Sequence, residues 1–136
     1  MARGDSGSAP VVAVFNASSD TVALLRTALD AAGFQTVVGH IPDIKQGGLD
    51  LIEFVHHHAP SVIVYDVSPP YEANWNFLRL VRSSDAVRGV PFVVTTTNKP
   101  ALDSLVGQTE TIEIIGKPYD LQQVVAAVRA ELPATR

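Results

Sequence analysis

Asp66, Thr96 and Lys117 supply a carboxylate, a hydroxyl and an ammonium, and each stands at or just past the end of a short run of strand-forming residues. Ser68 follows Asp66 by two positions, and Asn16, Ala17 and Ser18 follow another such run. An anion, a hydrogen-bond donor and a cation brought to one point can bind and polarise a charged group. Asp66, Ser68 and Asn16 also offer oxygens of the kind that hard divalent cations take. Singly, none of these residues is specific. Lys117 alone reads as a solvated strand-end lysine, Pro118 as loop punctuation and Thr96 as a β-branched strand residue, with Thr95 and Thr97 leaving the register open by one.

The elements that must position these residues alternate along the chain. Val11 to Phe15 is a continuous run of β-formers, after which Ser18, Ser19 and Asp20 offer helix N-caps and Val22, Leu25, Leu29 and Ala32 recur at helical spacing. Gly33 stops that helix, and Phe34 to Val38 starts a second strand. Leu49, Ile52 and Val55 mark a second helix, closed by His56 to His58 and Pro60, and Ser61 to Tyr65 is a third strand. Trp75, Leu78 and Val81 form a third helical stripe, followed by a strand at Phe92 to Thr95, a short helix at Pro100 to Val106 and a strand at Thr111 to Ile115. The last helix carries Leu121, Val124, Val125, Val128 and Leu132 after a cap at Asp120. Strands apolar on both faces belong to a parallel sheet covered by helices on both sides. Five strand–helix alternations with short connections therefore predict an α/β fold built on a doubly wound five-stranded parallel sheet. In such sheets the chemistry lies at the carboxyl ends of the strands, beside the topological switch point, which is where the candidate residues fall.

Composition narrows the functional classes. The chain of 136 residues is 46% hydrophobic and 18% charged, the balance of one ordinary globular domain. Residues 1–10 read as a disordered leader without the apolar stretch of a secretory signal, residues 11–132 as the domain and 133–136 as a tail. No apolar run reaches the roughly 20 residues of a membrane helix. The absence of Cys excludes disulfides and thiolate sites and agrees with a cytoplasmic location. A net charge of −4 without a Lys/Arg cluster leaves no footprint for nucleic acid.

Asp66, the Ser68-Pro69-Pro70 turn, Thr96 and the Lys117-Pro118 dipeptide occur in an order that resembles the receiver domains of response regulators in two-component signalling, over nearly the whole of 11–132. The resemblance implies the flavodoxin-like receiver topology. It implies that Asp66 accepts a phosphoryl group from a histidine kinase, that the hydroxyl of Thr96, placed by its distance from Pro91, hydrogen-bonds that group, and that Lys117 pairs with its charge. An acyl phosphate develops charge on its oxygens, so a donor and an ammonium must already point there.

The chain departs from that family where metal chemistry is concerned. Receivers carry two adjacent acidic residues after the first strand that help hold Mg²⁺; here Asn16 and Ala17 stand there. With Asp66 as the remaining carboxylate, joined by Asn16 and Ser68, Mg²⁺ binding is expected to be weak. Asp20 reads as a helix cap. Ile114 replaces the family's aromatic switch residue three before the lysine, and Thr97 replaces a small residue and crowds Asp66. The expectation is a pseudo-receiver-like, non-enzymatic signalling domain that acts through protein contacts, with a histidine kinase, another signalling protein or a second copy of the chain as partner. By the same resemblance, the fourth helix, fifth strand and fifth helix would form the docking face.

Other features read more plainly. Consecutive helical histidines point about 100° apart and cannot converge on a metal, so His56 to His58 are expected to be solvated residues at a helix end. Trp75 is expected in the core, and Tyr71 either in the core or at a partner surface. A conventional phosphorylated regulator is the competing function. A flavodoxin-like flavin or nucleotide binder rests on the hydroxyls of Ser18, Ser19 and Thr21, in a loop without Gly. Hydrolysis lacks a G-x-S-x-G turn.

Overall fold

A computed structural model describes residues 9–16, 18–47, 50–107, 113–116 and 120–132. Five strands, β1 (Val11–Asn16), β2 (Gln35–His40), β3 (Val62–Val67), β4 (Phe92–Thr96) and β5 (Glu113–Gly116), form one sheet in the order β2-β1-β3-β4-β5. Every neighbouring pair is parallel. Among the described residues six α-helices accompany them: α1 (Ser19–Ala31), α2 (Ile41–Lys45), α3 (Leu51–His58), α4 (Tyr71–Arg82), α5 (Lys99–Val106) and, after β5, α6 (Leu121–Glu131). This is the doubly wound, flavodoxin-like arrangement expected from the alternation of apolar runs.

The two-residue period of a strand sorts its side chains between two cores. Val12, Val14, Val62, Val64 and Val93 face α1 and α6, where Leu25, Leu29, Val124 and Val128 are fully buried. Ala13, Phe15, Ile63, Tyr65, Val67 and Val94 face the other way, onto Trp75 and Leu78 of α4, Val55 of α3 and Leu102 of α5. Trp75 is thus a core residue, as its helical spacing predicted. All six residues of β3 are buried, as befits a central strand covered on both faces.

Helix ends follow local chemistry. The Ser18 side chain accepts from the Thr21 amide to start α1, and Asp120 with Gln123 forms a reciprocal capping box at α6, so the expected cap at Asp120 is present. Asp50 caps α3, which starts at Leu51; of the expected stripe Val55 is buried, Ile52 is exposed and Leu49 lies outside the described residues. Helix α2 falls where a loop was expected. Its five residues are too few to display a periodicity, but Pro42 in the first turn suits a helix start. Strands β1, β3 and β4 each run past the expected end, so Asn16, Asp66 and Thr96 lie within strands rather than after them. Leu132 ends α6 as its cap instead of extending it. The Pro10 carbonyl accepts from the Gln35 amide, and most of the expected leader and all of the tail lie outside the described residues. No helix among the described residues is long and apolar enough to cross a membrane.

Candidate functional site

The chain leaves β1 toward β2 on one side of the sheet and passes from β3 to β4 on the other, so the crevice of the switch point opens at the carboxyl ends of β1 and β3. Asn16 is the last residue of β1 and Asp66 the fifth of six in β3; the pairing of Phe15 with Tyr65 sets them level with each other. Both are buried, at 2% and 5% exposure. A buried carboxylate is costly unless hydrogen-bonded or paired. Asp66 Oδ1 accepts a 2.6 Å hydrogen bond from Thr95 Oγ1.

The sheet register explains why the donor is Thr95. Asp66 pairs with Thr95 in β4, and Val67 with Thr96. Paired residues project to the same face and successive residues to opposite faces. The Thr95 hydroxyl therefore meets Asp66, whereas Thr96, expected to serve an incoming phosphoryl group, faces the side of Val67, and its Oγ1 accepts a long 3.4 Å bond from the Asn98 amide. Thr97 follows the strand, and its hydroxyl is 2.7 Å from that of Tyr71 at the start of α4. That bond ties the β4–α5 connection to the β3–α4 connection beside Asp66. It gives half-buried Tyr71 a role that is neither purely core nor open surface. Lys117, Pro118 and Ala17 lie outside the described residues.

The candidate metal donors are engaged with the protein. Asn16 Oδ1 accepts from the Ser18 amide at 2.8 Å, which orders the turn into α1. The Ser68 carbonyl accepts from Asn74 Nδ2 at 2.6 Å. Mg²⁺ takes a near-octahedral shell of oxygens with several charges among ligands and substrate. One carboxylate and two neutral oxygens already holding hydrogen bonds do not fit that requirement. Among the described residues no three His, Asp or Glu side chains gather closely enough to hold a metal ion. Asp20 is exposed in the first turn of α1. His56 and His57 are exposed, while His58 packs against Phe54 with ring centroids 4.5 Å apart.

Beside Asp66, under the β3–α4 connection, lies a cleft of about 290 Å³ lined by Ile41, Lys45, Tyr65, Ser68, Pro69 and Asn74 among others. Lys45 Nζ donates to Asn74 Oδ1 and lies 5.4 Å from the Phe77 ring centroid. Tyr65 is 1% exposed, and its hydroxyl, closed off from solvent, has no hydrogen-bond partner. Burial, reinforced by the negative charge of Asp66, pushes its pKa far above the usual phenol value. Neither Lys45 nor Asn74 stood out in the sequence, because they are 29 residues apart and meet only through the fold.

No family model matches the chain. Two curated proteins are similar to it in sequence. It is 25% identical over 88 residues to response regulator Rre1 of Synechocystis sp., a match covering 64% of this chain and 38% of that protein. It is 26% identical over 110 residues to the transcriptional regulatory protein GltR of Pseudomonas aeruginosa, covering 80% of this chain and 43% of that one. The matches thus span about two fifths of each curated relative. Among solved structures, the chemotaxis protein CheY4 of Vibrio cholerae superposes with a TM-score of 0.68 at 18% identity, over 92% of this chain and 100% of the other. A signal receiver domain from Clostridium thermocellum superposes with a TM-score of 0.70 at 16% identity, over 92% and 98%. The fold of this chain is that of the response-regulator receiver domains.

Proposed function

We propose that the chain is a receiver-type signalling module in which Asp66 is the phosphoacceptor position, that its divalent-cation site is weakened, and that it acts mainly through protein–protein contacts. The observation that carries this reading is the buried Asp66 carboxylate at the switch-point end of the central strand, held by the Thr95 hydroxyl. Thr96 at the end of β4 and Lys117 beyond β5 complete the reading as the hydroxyl and the counter-charge for an incoming phosphoryl group. The engagement of Asn16 by Ser18 and of Ser68 by Asn74 supports a weak cation site, and hence slow transfer, since the ion normally offsets repulsion between the carboxylate and the phosphoryl group. A histidine kinase or another signalling protein is the expected partner. The face formed by α5, β5 and α6 is the expected surface for that partner or for a second copy of the chain.

The test is incubation with Mg²⁺ and acetyl phosphate, read by intact mass and peptide mapping. The expected result is slow or undetectable addition of a phosphoryl group, confined to Asp66 where it occurs and absent from Asp66→Asn. Rapid stoichiometric modification of Asp66 would establish the conventional phospho-switch in its place, and modification at another residue would remove Asp66 from the role.

A further inference from the structure

On the reading of Asp66 as the centre of a weakened cation site, on which this step rests, we propose that Lys45 and Asn74 form an internal lock that closes that site against a divalent ion. Lys45, Asp66, Ser68 and Asn74 line one cleft of about 290 Å³. Within it Lys45 Nζ donates to Asn74 Oδ1, and Asn74 Nδ2 donates to the Ser68 carbonyl at 2.6 Å. A chain of ammonium, amide and carbonyl therefore runs from α2 through α4 to the segment that follows β3.

The three groups fix the direction of that chain. An ammonium only donates and a backbone carbonyl only accepts, so an amide between them turns its oxygen to Lys45 and its nitrogen to Ser68. Held that way, Asn74 sets an N–H against the Ser68 carbonyl, and its own oxygen, the atom a hard cation could use, is taken by Lys45. A cation seeking the carbonyl must share it with that N–H or displace it. Asn74 is 9% exposed, so its two bonds lie where polar contacts are hard to replace. Lys45 is exposed, but its ammonium is placed by two contacts, the Asn74 oxygen and the Phe77 ring 5.4 Å away. Its positive charge also opposes a divalent ion in the same cleft. That charge is open to solvent and screened, so the engaged carbonyl is the larger obstacle.

Titration of ¹⁵N-labelled protein with Mg²⁺, followed by amide chemical shifts, tests the lock without a phosphoryl donor. Lys45→Met and Asn74→Leu are each expected to bind Mg²⁺ roughly tenfold more tightly than the parent, the scale of one hydrogen bond no longer in competition with the ion, with shifts at Asp66 and Ser68. Lys45→Met, at an exposed position, keeps the test open should Asn74→Leu fail to fold. Arg88→Gln removes an equal charge from an exposed pair with Asp85 and is expected to leave the affinity unchanged. A second readout needs no metal: the side-chain amide protons of Asn74 are expected to exchange with solvent faster in Lys45→Met than in the parent. Unchanged Mg²⁺ affinity in either folded variant, beside a weakly binding parent, would overturn the lock and leave the weak site standing. An equal rise in Arg88→Gln, or unchanged Asn74 exchange in Lys45→Met, would overturn the lock as well. Tight Mg²⁺ binding by the parent would overturn the weak site, and the lock with it.

Discussion

Thr95 and Asp66 are opposite one another in neighbouring parallel strands, and the hydroxyl of the first donates to the carboxylate of the second at 2.6 Å. Hydrogen bonds to charged groups are stronger than neutral ones, and removing one partner leaves the other buried and unsatisfied. Thr95→Val is therefore expected to destabilise the fold by about 2 kcal/mol. Thr95→Ser should recover most of that loss, and Thr96→Val should cost less than Thr95→Val, because the Thr96 hydroxyl takes only a long bond from Asn98. Urea denaturation of the three variants checks the ranking. A larger loss in Thr96→Val would contradict the register.

Tyr65→Phe removes a buried hydroxyl that has no partner, so at neutral pH the variant is expected to be more stable than the parent by about 1 kcal/mol. Their difference should also depend on pH. In the unfolded chain the phenol loses its proton near pH 10.0, whereas in the folded protein burial and the Asp66 charge hold the proton well beyond that. The contribution of the folded state's raised pKa is complete below pH 10.0 and declines as pH climbs above it, because the unfolded chain then binds fewer protons. Denaturation at pH 7 to 11 should show the parent losing up to about 1.4 kcal/mol per pH unit more than Tyr65→Phe above pH 10.

The cation site can be rebuilt from the sequence outward. Asn16→Asp with Ala17→Asp adds two carboxylates where β1 ends level with Asp66, and at an effective dielectric of about 20 a carboxylate close to a divalent ion contributes several kcal/mol of attraction, part of it offset by desolvation. Mg²⁺ affinity by calorimetry is expected to rise at least about a hundredfold over the parent. Tight Mg²⁺ binding by the parent, abolished in Asp66→Asn, would show that the donor set suffices as it stands.

The bond between Tyr71 and Thr97 joins the segments that follow β3 and β4, the two strands that carry Asp66 and Thr95. Tyr71→Phe should cost less than about 1 kcal/mol in stability, since Thr97 is exposed and water can replace the lost partner. It should increase labelling of Asp66 by a carbodiimide with glycine ethyl ester by a few-fold, read by peptide mass spectrometry. Thr97→Val should act in the same direction, because it removes the other half of the same bond.

Much of the fold was legible because a buried parallel sheet leaves apolar runs in the chain, and because Asp120 and Ser18 announce helix starts by chemistry that acts over three residues. Asp66 was legible as a lone acid at the edge of an apolar run. Its hydroxyl partner was not, since Thr95, Thr96 and Thr97 are chemically alike and only the pairing of β3 with β4 decides which one shares its face. Val67 concealed the strand end by continuing the run beyond the acid. The Lys45–Asn74 contact and the orphaned Tyr65 hydroxyl depend on three separate segments meeting, a property that no local pattern carries.

Strand β3 has a neighbour on each side, helices over both faces and no exposed residue, whereas β2 and β5 have one neighbour each. Backbone amides of such a strand open to solvent deuterium only in near-global unfolding, and those of the sheet edges open in smaller fluctuations. Asp66 is therefore expected, with the neighbouring strands β1 and β4, among the slow-exchanging parts of the molecule. A chemical change there would leave β3 nearly still, and its effects would surface in the exchange rates of the segments that follow β3 and β4, around Ser68 to Tyr71 and Thr97 to Lys99.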